Sequence, residues 1–124
     1  MGRPASDAAS RSAAVLSKAV VRASTALGLS QKDLAAIIGV SEATASRLHR
    51  GRPVPPETKE GELALLLLRV YRGLATLVGG RDDLARAWMH APNDHLGGVP
   101  AERVRTAAGL VGVAAYLDGM RGKL

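Results

Sequence analysis

The chain contains no cysteine and no phenylalanine, and its 124 residues include one tryptophan and two tyrosines. Without cysteine there is no disulfide, no thiolate nucleophile and no zinc finger, a composition that suits a reducing cytoplasm. Without phenylalanine a core must come from Leu, Val, Ile and Ala, which favours closely packed helices over an aromatic-rich sandwich. Nowhere do apolar and polar residues alternate strictly, as a half-buried strand requires. The longest apolar run, Leu63 to Leu68, is too short to span a bilayer. The opening residues MGRPASDAASRSAA lack the apolar stretch of a signal peptide, and residues 1–12 are expected to be a disordered arm in which Arg3 and Arg11 are loose cations. Catalytic signatures are missing too: no Walker loop, no nucleophile elbow, no glycine fingerprint after a strand. His90 and His95 stand five apart across a proline rather than at the four-residue spacing of a helical metal pair. Asp82-Asp83 reads as a helix start, because acids suit the positive helix N-terminus. Neither an enzyme nor a metal or cofactor site is expected.

What remains is a basic, all-α chain. Its formal net charge is +6. Residues 1–60 hold nine Lys/Arg against five Asp/Glu, and residues 61–124 eight against six, so the basic excess leans towards the first half. That is the lean a nucleic-acid-binding N-terminal unit needs.

The segment Gln31 to Arg50 (QKDLAAIIGVSEATASRLHR) spells a helix-turn-helix. Ser30 is placed to cap a helix that carries Leu34, Ala35 and Ile38 on one face. Gly39 supplies the turn residue free to take a positive φ, and Val40 plugs the corner. Ser41 is placed to cap a second helix whose Ala45 and Leu48 return to the same core, and Gly51 ends it. A second helix of this kind enters the major groove while the first crosses the backbone. The segment from Ala13 to Arg52 resembles the repressor-type helix-turn-helix of the Xre and phage-repressor family. That resemblance implies base contacts from Glu42, Ala43 and Arg47, and phosphate contacts from Gln31, Ser41 and Thr44. Arg47 suits a bidentate pair with guanine, and Ala43 offers only a methyl group. Glu42 fits two roles: acceptor from cytosine, or solvated acid at a helix N-terminus. Arg50 and Arg52 suit phosphates, which position without specifying sequence.

The other helices follow from spacing. Val15, Ala19, Val20, Ala23 and Leu27 outline a first helix ended by Gly28. Pro53-Val54-Pro55-Pro56 is a stiff break and the best internal boundary. A long helix over about Glu57 to Val78 carries Leu63, Leu66, Leu67, Val70, Leu74 and Leu77 in one stripe, widened by Leu65, Leu68 and Tyr71. A stripe that broad is expected to be covered on two sides. The second cover is taken to be another copy of the chain, making a homodimer through Leu63, Leu66, Leu67, Val70, Tyr71 and Leu74. Two-fold proteins read paired half-sites in DNA, which such a dimer would suit. A helix over about Arg81 to His90 is expected to bury Leu84, Ala85 and Trp88. Pro92 to Pro100 is a turn-rich loop, Pro100 starts a short helix, and a last one over about Thr106 to Met120 points Leu110, Val113, Ala114 and Leu117 inward.

The run AWMHAPNDHLGGVPAERVRTAAGLVGVAAYLDGM resembles the toxin-binding domain of the Xre–MbcA–ParS antitoxins, on Trp88, Pro92, Asn93, Leu96, Gly97, Gly98, Pro100, Gly109, Val113 and Leu117. With the helix-turn-helix and the long helix, the likeness spans about residues 13–124. It implies three regions: an arm at 1–12, a DNA-binding domain at 13–56, and a linking helix with a toxin-binding domain at 57–124. It also implies a partner toxin with a RES domain, related to ADP-ribosyltransferases, that depletes NAD or modifies a host protein. Such an antitoxin blocks the toxin's cleft and represses its own operon by binding operator DNA. The expected plug is the tail from Asp118 through Arg121 and Lys123 to Leu124, joined by the loop Asn93, Asp94, His95, Leu96, Gly97 and Gly98. Two other readings stay open: a stand-alone dimeric repressor, and a pure inhibitor whose helix-turn-helix no longer binds DNA.

Overall fold

The computed structural model describes the backbone of residues 4–123 and the side chains of residues 7–123; Arg3 and Leu124 lie outside the described residues. Among these, the chain is all helical, with seven α-helices and a 3₁₀ turn. α1 is Pro4–Ala26, α2 Gln31–Ile38, α3 Glu42–His49, α4 Lys59–Leu77, α5 Asp82–His90, α6 Pro100–Arg103 and α7 Ala107–Arg121, with the 3₁₀ turn at Asp94–Leu96.

Local chemistry fixes the helix ends. The Ser30 hydroxyl accepts from the Asp33 N–H while Asp33 accepts from the Ser30 N–H, a reciprocal capping box at the start of α2. Gly39 ends α2 in the left-handed conformation, φ 73°, and Ser41 caps α3 through the Thr44 N–H. Thr58 and Thr106 cap α4 and α7 in the same way. The long helix therefore begins at Lys59, two residues later than its spacing predicts.

α4 is the axis. α1 and α2 pack on one part of it, α7 runs along another, and α5 meets it after a turn through Gly79-Gly80. One contiguous core runs from Leu16 of α1 through Leu34, Leu67 and Leu74 to Leu117 of α7. The proline linker is docked: Val54 is buried and its N–H donates to the Ala13 carbonyl, 3.0 Å away. Two glycines permit the closest approaches. A Cβ on Gly61 would stand 2.0 Å from the Pro55 carbonyl oxygen, and one on Gly109 would stand 1.8 Å from that of Arg103.

Four expectations need correction. Residues 4–12, expected to be disordered, form the first turns of α1; alanines at 8, 9, 13 and 14 favour helix, and Asp7 suits its N-terminal turn. Val15 is 66% exposed and Leu16 takes the inward position. Leu84 faces outward at 41% exposure, and Met89 fills the core beside Ala85 while Trp88 is half-buried. Of the six residues assigned to a dimer face, Leu67, Val70 and Leu74 have no exposed surface at all. The chain's own helices cover them, so no partner reaches them without unfolding. Leu63, Leu66 and Tyr71 are half-buried against the same core.

Candidate functional site

Two surfaces carry the residues singled out by sequence. The first is the outer face of α3. Glu42, Ala43 and Arg47 are exposed there, with Ala43 and Arg47 one turn apart. Inward, Ala45 and Leu48 anchor the helix to the core. The Ser41 hydroxyl accepts from the Thr44 N–H and donates to Thr44 Oγ1, both at 3.0 Å. Ser41, Thr44 and Arg52 line one open groove of about 520 Å³, walled by Val40, Val54 and Thr58. The Arg52 backbone is held twice: its N–H donates to the Arg47 carbonyl at 2.9 Å, and its carbonyl accepts from the buried Ser17 hydroxyl of α1. Arg50 donates to Ser46 Oγ at 3.0 Å and stays exposed. Gln31 is exposed at the start of α2, outside that groove. Hydroxyls, helix N-termini and guanidinium groups are the donors that phosphate oxygens take, and the exposed side chains of α3 are free to meet base edges.

The second surface lies at the loop after α5. Asn93 and Gly98 pair backbone to backbone, at 2.9 and 3.2 Å, and close the loop. Asn93 Oδ1 accepts from the Leu96 N–H at 3.2 Å, Gly97 takes φ 70°, and Arg103 donates to the Gly97 carbonyl. Asp94 and His95 are exposed on this closed loop, and Leu96 is half-buried.

Of the tail residues, Asp118 and Arg121 lie within α7. Arg121 is the last residue of α7, and its guanidinium donates to Asp118 Oδ1 at 2.6 Å. Asp118 Oδ2 accepts from Arg69 of α4, so Asp118 ties the two helices together. The hydrogen bond from Arg69, then that from Arg121, hold its carboxyl below the usual carboxylate range. Lys123 is exposed beyond the helix, and Leu124 lies outside the described residues.

Two features escape sequence reasoning. Tyr116 of α7 stacks between partners from two other elements, Trp88 and His95, with centroids 6.4 and 5.8 Å away. The C-terminal half also clasps the turn that opens the helix-turn-helix: Arg105 donates to Asp33 Oδ1 at 2.7 Å, and His90 Nε2 lies 3.1 Å from the Leu27 carbonyl. Partners this far apart in the chain leave no local signal. Among the described residues, no three His, Asp or Glu gather as a metal site, and no single helix is long and apolar enough to cross a membrane.

Comparison with known families finds both halves. A model of the antitoxin Xre-like helix-turn-helix domain matches residues 7–69. A model of the antitoxin Xre/MbcA/ParS C-terminal toxin-binding domain matches residues 74–123. No curated protein matches the chain.

Proposed function

The chain belongs to the antitoxins that join an Xre-like helix-turn-helix to an Xre/MbcA/ParS toxin-binding domain, and from that premise we propose that it neutralises a RES-domain toxin and represses its own operon. The observation that carries this reading is the toxin-binding match over residues 74–123, which contains the closed loop at 93–98 and the end of α7. The protein is an inhibitor rather than an enzyme and works in the cytoplasm. The toxin's cleft accepts a dinucleotide, and the antitoxin fills it with the loop Asn93 to Gly98 and with Arg121 at the end of α7 and Lys123 beyond it. Inhibition of this kind is blockade and needs no chemistry from the antitoxin.

DNA binding is the second activity. Arg47 and Glu42 read bases from α3, and Gln31, Ser41, Thr44, Arg50 and Arg52 hold phosphates. The groove shared by Ser41, Thr44 and Arg52 supports this assignment. Two copies read a two-fold operator, meeting through a surface other than Leu67, Val70 and Leu74, which are buried within one chain.

Co-expression with the neighbouring open reading frame tests the reading. A toxic neighbour whose growth arrest is relieved, and which copurifies with the chain, supports the antitoxin role. A chain that binds its own upstream DNA but captures no neighbour is a repressor alone, and the toxin-blocking reading falls.

A further inference from the structure

Three rings from three separate elements form a ladder on the C-terminal half. Trp88 of α5 packs against the core. Tyr116 of α7 stacks on it, with 18° between the ring planes, and His95 of the loop stacks on Tyr116 at 25°. The ladder climbs from half-buried Trp88 and Tyr116 to exposed His95. Leu96, the next residue, borders an open groove of about 320 Å³ whose other walls are Arg103 and the α7 residues Gly109, Gly112 and Val113. The glycines keep one wall flat, and a Cβ placed on Gly112 meets nothing within 4 Å. On the same helix, Val111 is 51% exposed.

The loop that presents His95 and Leu96 is already rigid. The Asn93–Gly98 pairing, the Asn93 side chain and Arg103 fix it before any partner arrives. A preordered surface spends little of its binding free energy on ordering. Tyr, Trp and Arg set beside a small apolar pocket are also the composition of an interface's energetic centre. Every residue of this patch falls inside the region matched as toxin-binding.

We infer that the His95–Tyr116–Trp88 ladder and the groove beside Leu96 are the anchor on which the toxin docks, with the α7 tail as a separate contact. This rests on the antitoxin reading above. The complementary toxin surface is a protruding apolar side chain for the groove, beside a ring or carbonyl acceptor for His95. The ladder holds the His95 ring in place through Tyr116, so Tyr116 is a positioning residue in this interface.

The test titrates full-length chain against the toxin purified from the neighbouring reading frame, with His95→Ala, Gly112→Leu, Tyr116→Ala and Tyr116→Phe. His95→Ala and Gly112→Leu are each expected to weaken toxin affinity about tenfold or more, as loss of an interface anchor does. Gly112→Leu fills the groove where the chain itself has room, so its melting temperature is expected to stay close to wild type. Tyr116→Phe keeps the ring and is expected to keep the affinity, whereas Tyr116→Ala loses it. Affinities within threefold of wild type for both His95→Ala and Gly112→Leu would overturn the inference while leaving the antitoxin role intact. A wild-type chain that binds no toxin overturns the antitoxin role itself. Variants that change the sedimentation of the chain alone, with toxin affinity unmoved, give the patch to a second copy of this chain and overturn the inference as well.

Discussion

Arg105 Nη2 stands 2.7 Å from Asp33 Oδ1, across 72 residues of sequence. The other oxygen of the same carboxylate accepts from the Ser30 N–H at 2.9 Å. One side chain thus caps the first helix of the helix-turn-helix and fastens it to the corner between α6 and α7. Burial pushes the Asp33 carboxyl up, but the hydrogen bonds from the Ser30 N–H, Arg105 and the Ser30 hydroxyl together bring it below its ordinary value. A carboxyl whose folded pKa is depressed contributes stability above its unfolded pKa of about 3.9 and loses it as pH falls through the folded value. Asp33→Asn is therefore expected to cost about 1–2 kcal/mol at neutral pH. The two proteins should converge as pH falls below about 4. Urea melts at pH 7 and pH 3 check this; an equal gap at both would remove the ion pair from the account.

The helix-turn-helix was legible because its determinants are local. Ser30, Gly39 and Ser41 each act within a few residues, and all three sit where their spacing places them. The outer face of α3 came from the resemblance to repressor-type helix-turn-helices, and Glu42, Ala43 and Arg47 are exposed there. Inward faces were less legible, because periodicity gives a stripe but not which neighbour covers it. Val15 and Leu16 are adjacent apolar residues, and only the docking of α1 on α3 and α4 selects Leu16. The breadth of the α4 stripe calls for cover on two sides but does not say whose, and α1, α2, α5 and α7 of the same chain pack on it. The ring ladder and the Asp33–Arg105 clasp join residues with no common spacing, so nothing in the sequence pairs them.

Two glycines should tolerate nothing larger. Alanine at Gly109 or Gly61 places a Cβ within 2.0 Å of a backbone oxygen, which no rotamer change relieves. Either substitution is expected to cost about 1–3 kcal/mol or more through backbone displacement. Gly119 lies exposed in α7 with open space around it. Gly119→Ala is accordingly expected to be neutral or to gain up to about 1 kcal/mol from helix propensity. Thermal midpoints of the three variants give the ordering directly.

DNA binding has a salt signature. Each phosphate neutralised contributes about 0.9 to the slope of log affinity against log salt. Arg52→Gln is expected to weaken binding to a random-sequence duplex and to the upstream region alike, and to flatten that slope by about one. Arg47→Ala is expected instead to cost roughly 1–3 kcal/mol on the upstream region and little on random DNA. Fluorescence anisotropy across a salt series separates the two. Equal losses for Arg47→Ala on both duplexes would make it a phosphate contact.

Asp118 is the point at which the tail can be set free. Its carboxylate holds Arg69 and Arg121 at once, and both hydrogen bonds keep its carboxyl low. The stability it adds is present above the unfolded carboxylate pKa and fades as pH falls through the lower folded value. Asp118→Asn removes the charge that draws Arg121 back onto α7. If Arg121 enters the toxin's cleft, it must first leave Asp118, so the released guanidinium is expected to inhibit at least as well as in the wild type. Deleting Arg121 to Leu124 is expected to lose inhibition while leaving the ring ladder and its docking groove unchanged. Inhibition constants for the two variants decide the matter. A deletion that inhibits fully removes the tail from the mechanism. An Asp118→Asn variant that fails as completely as the deletion shows that Arg121 acts only while docked on its helix.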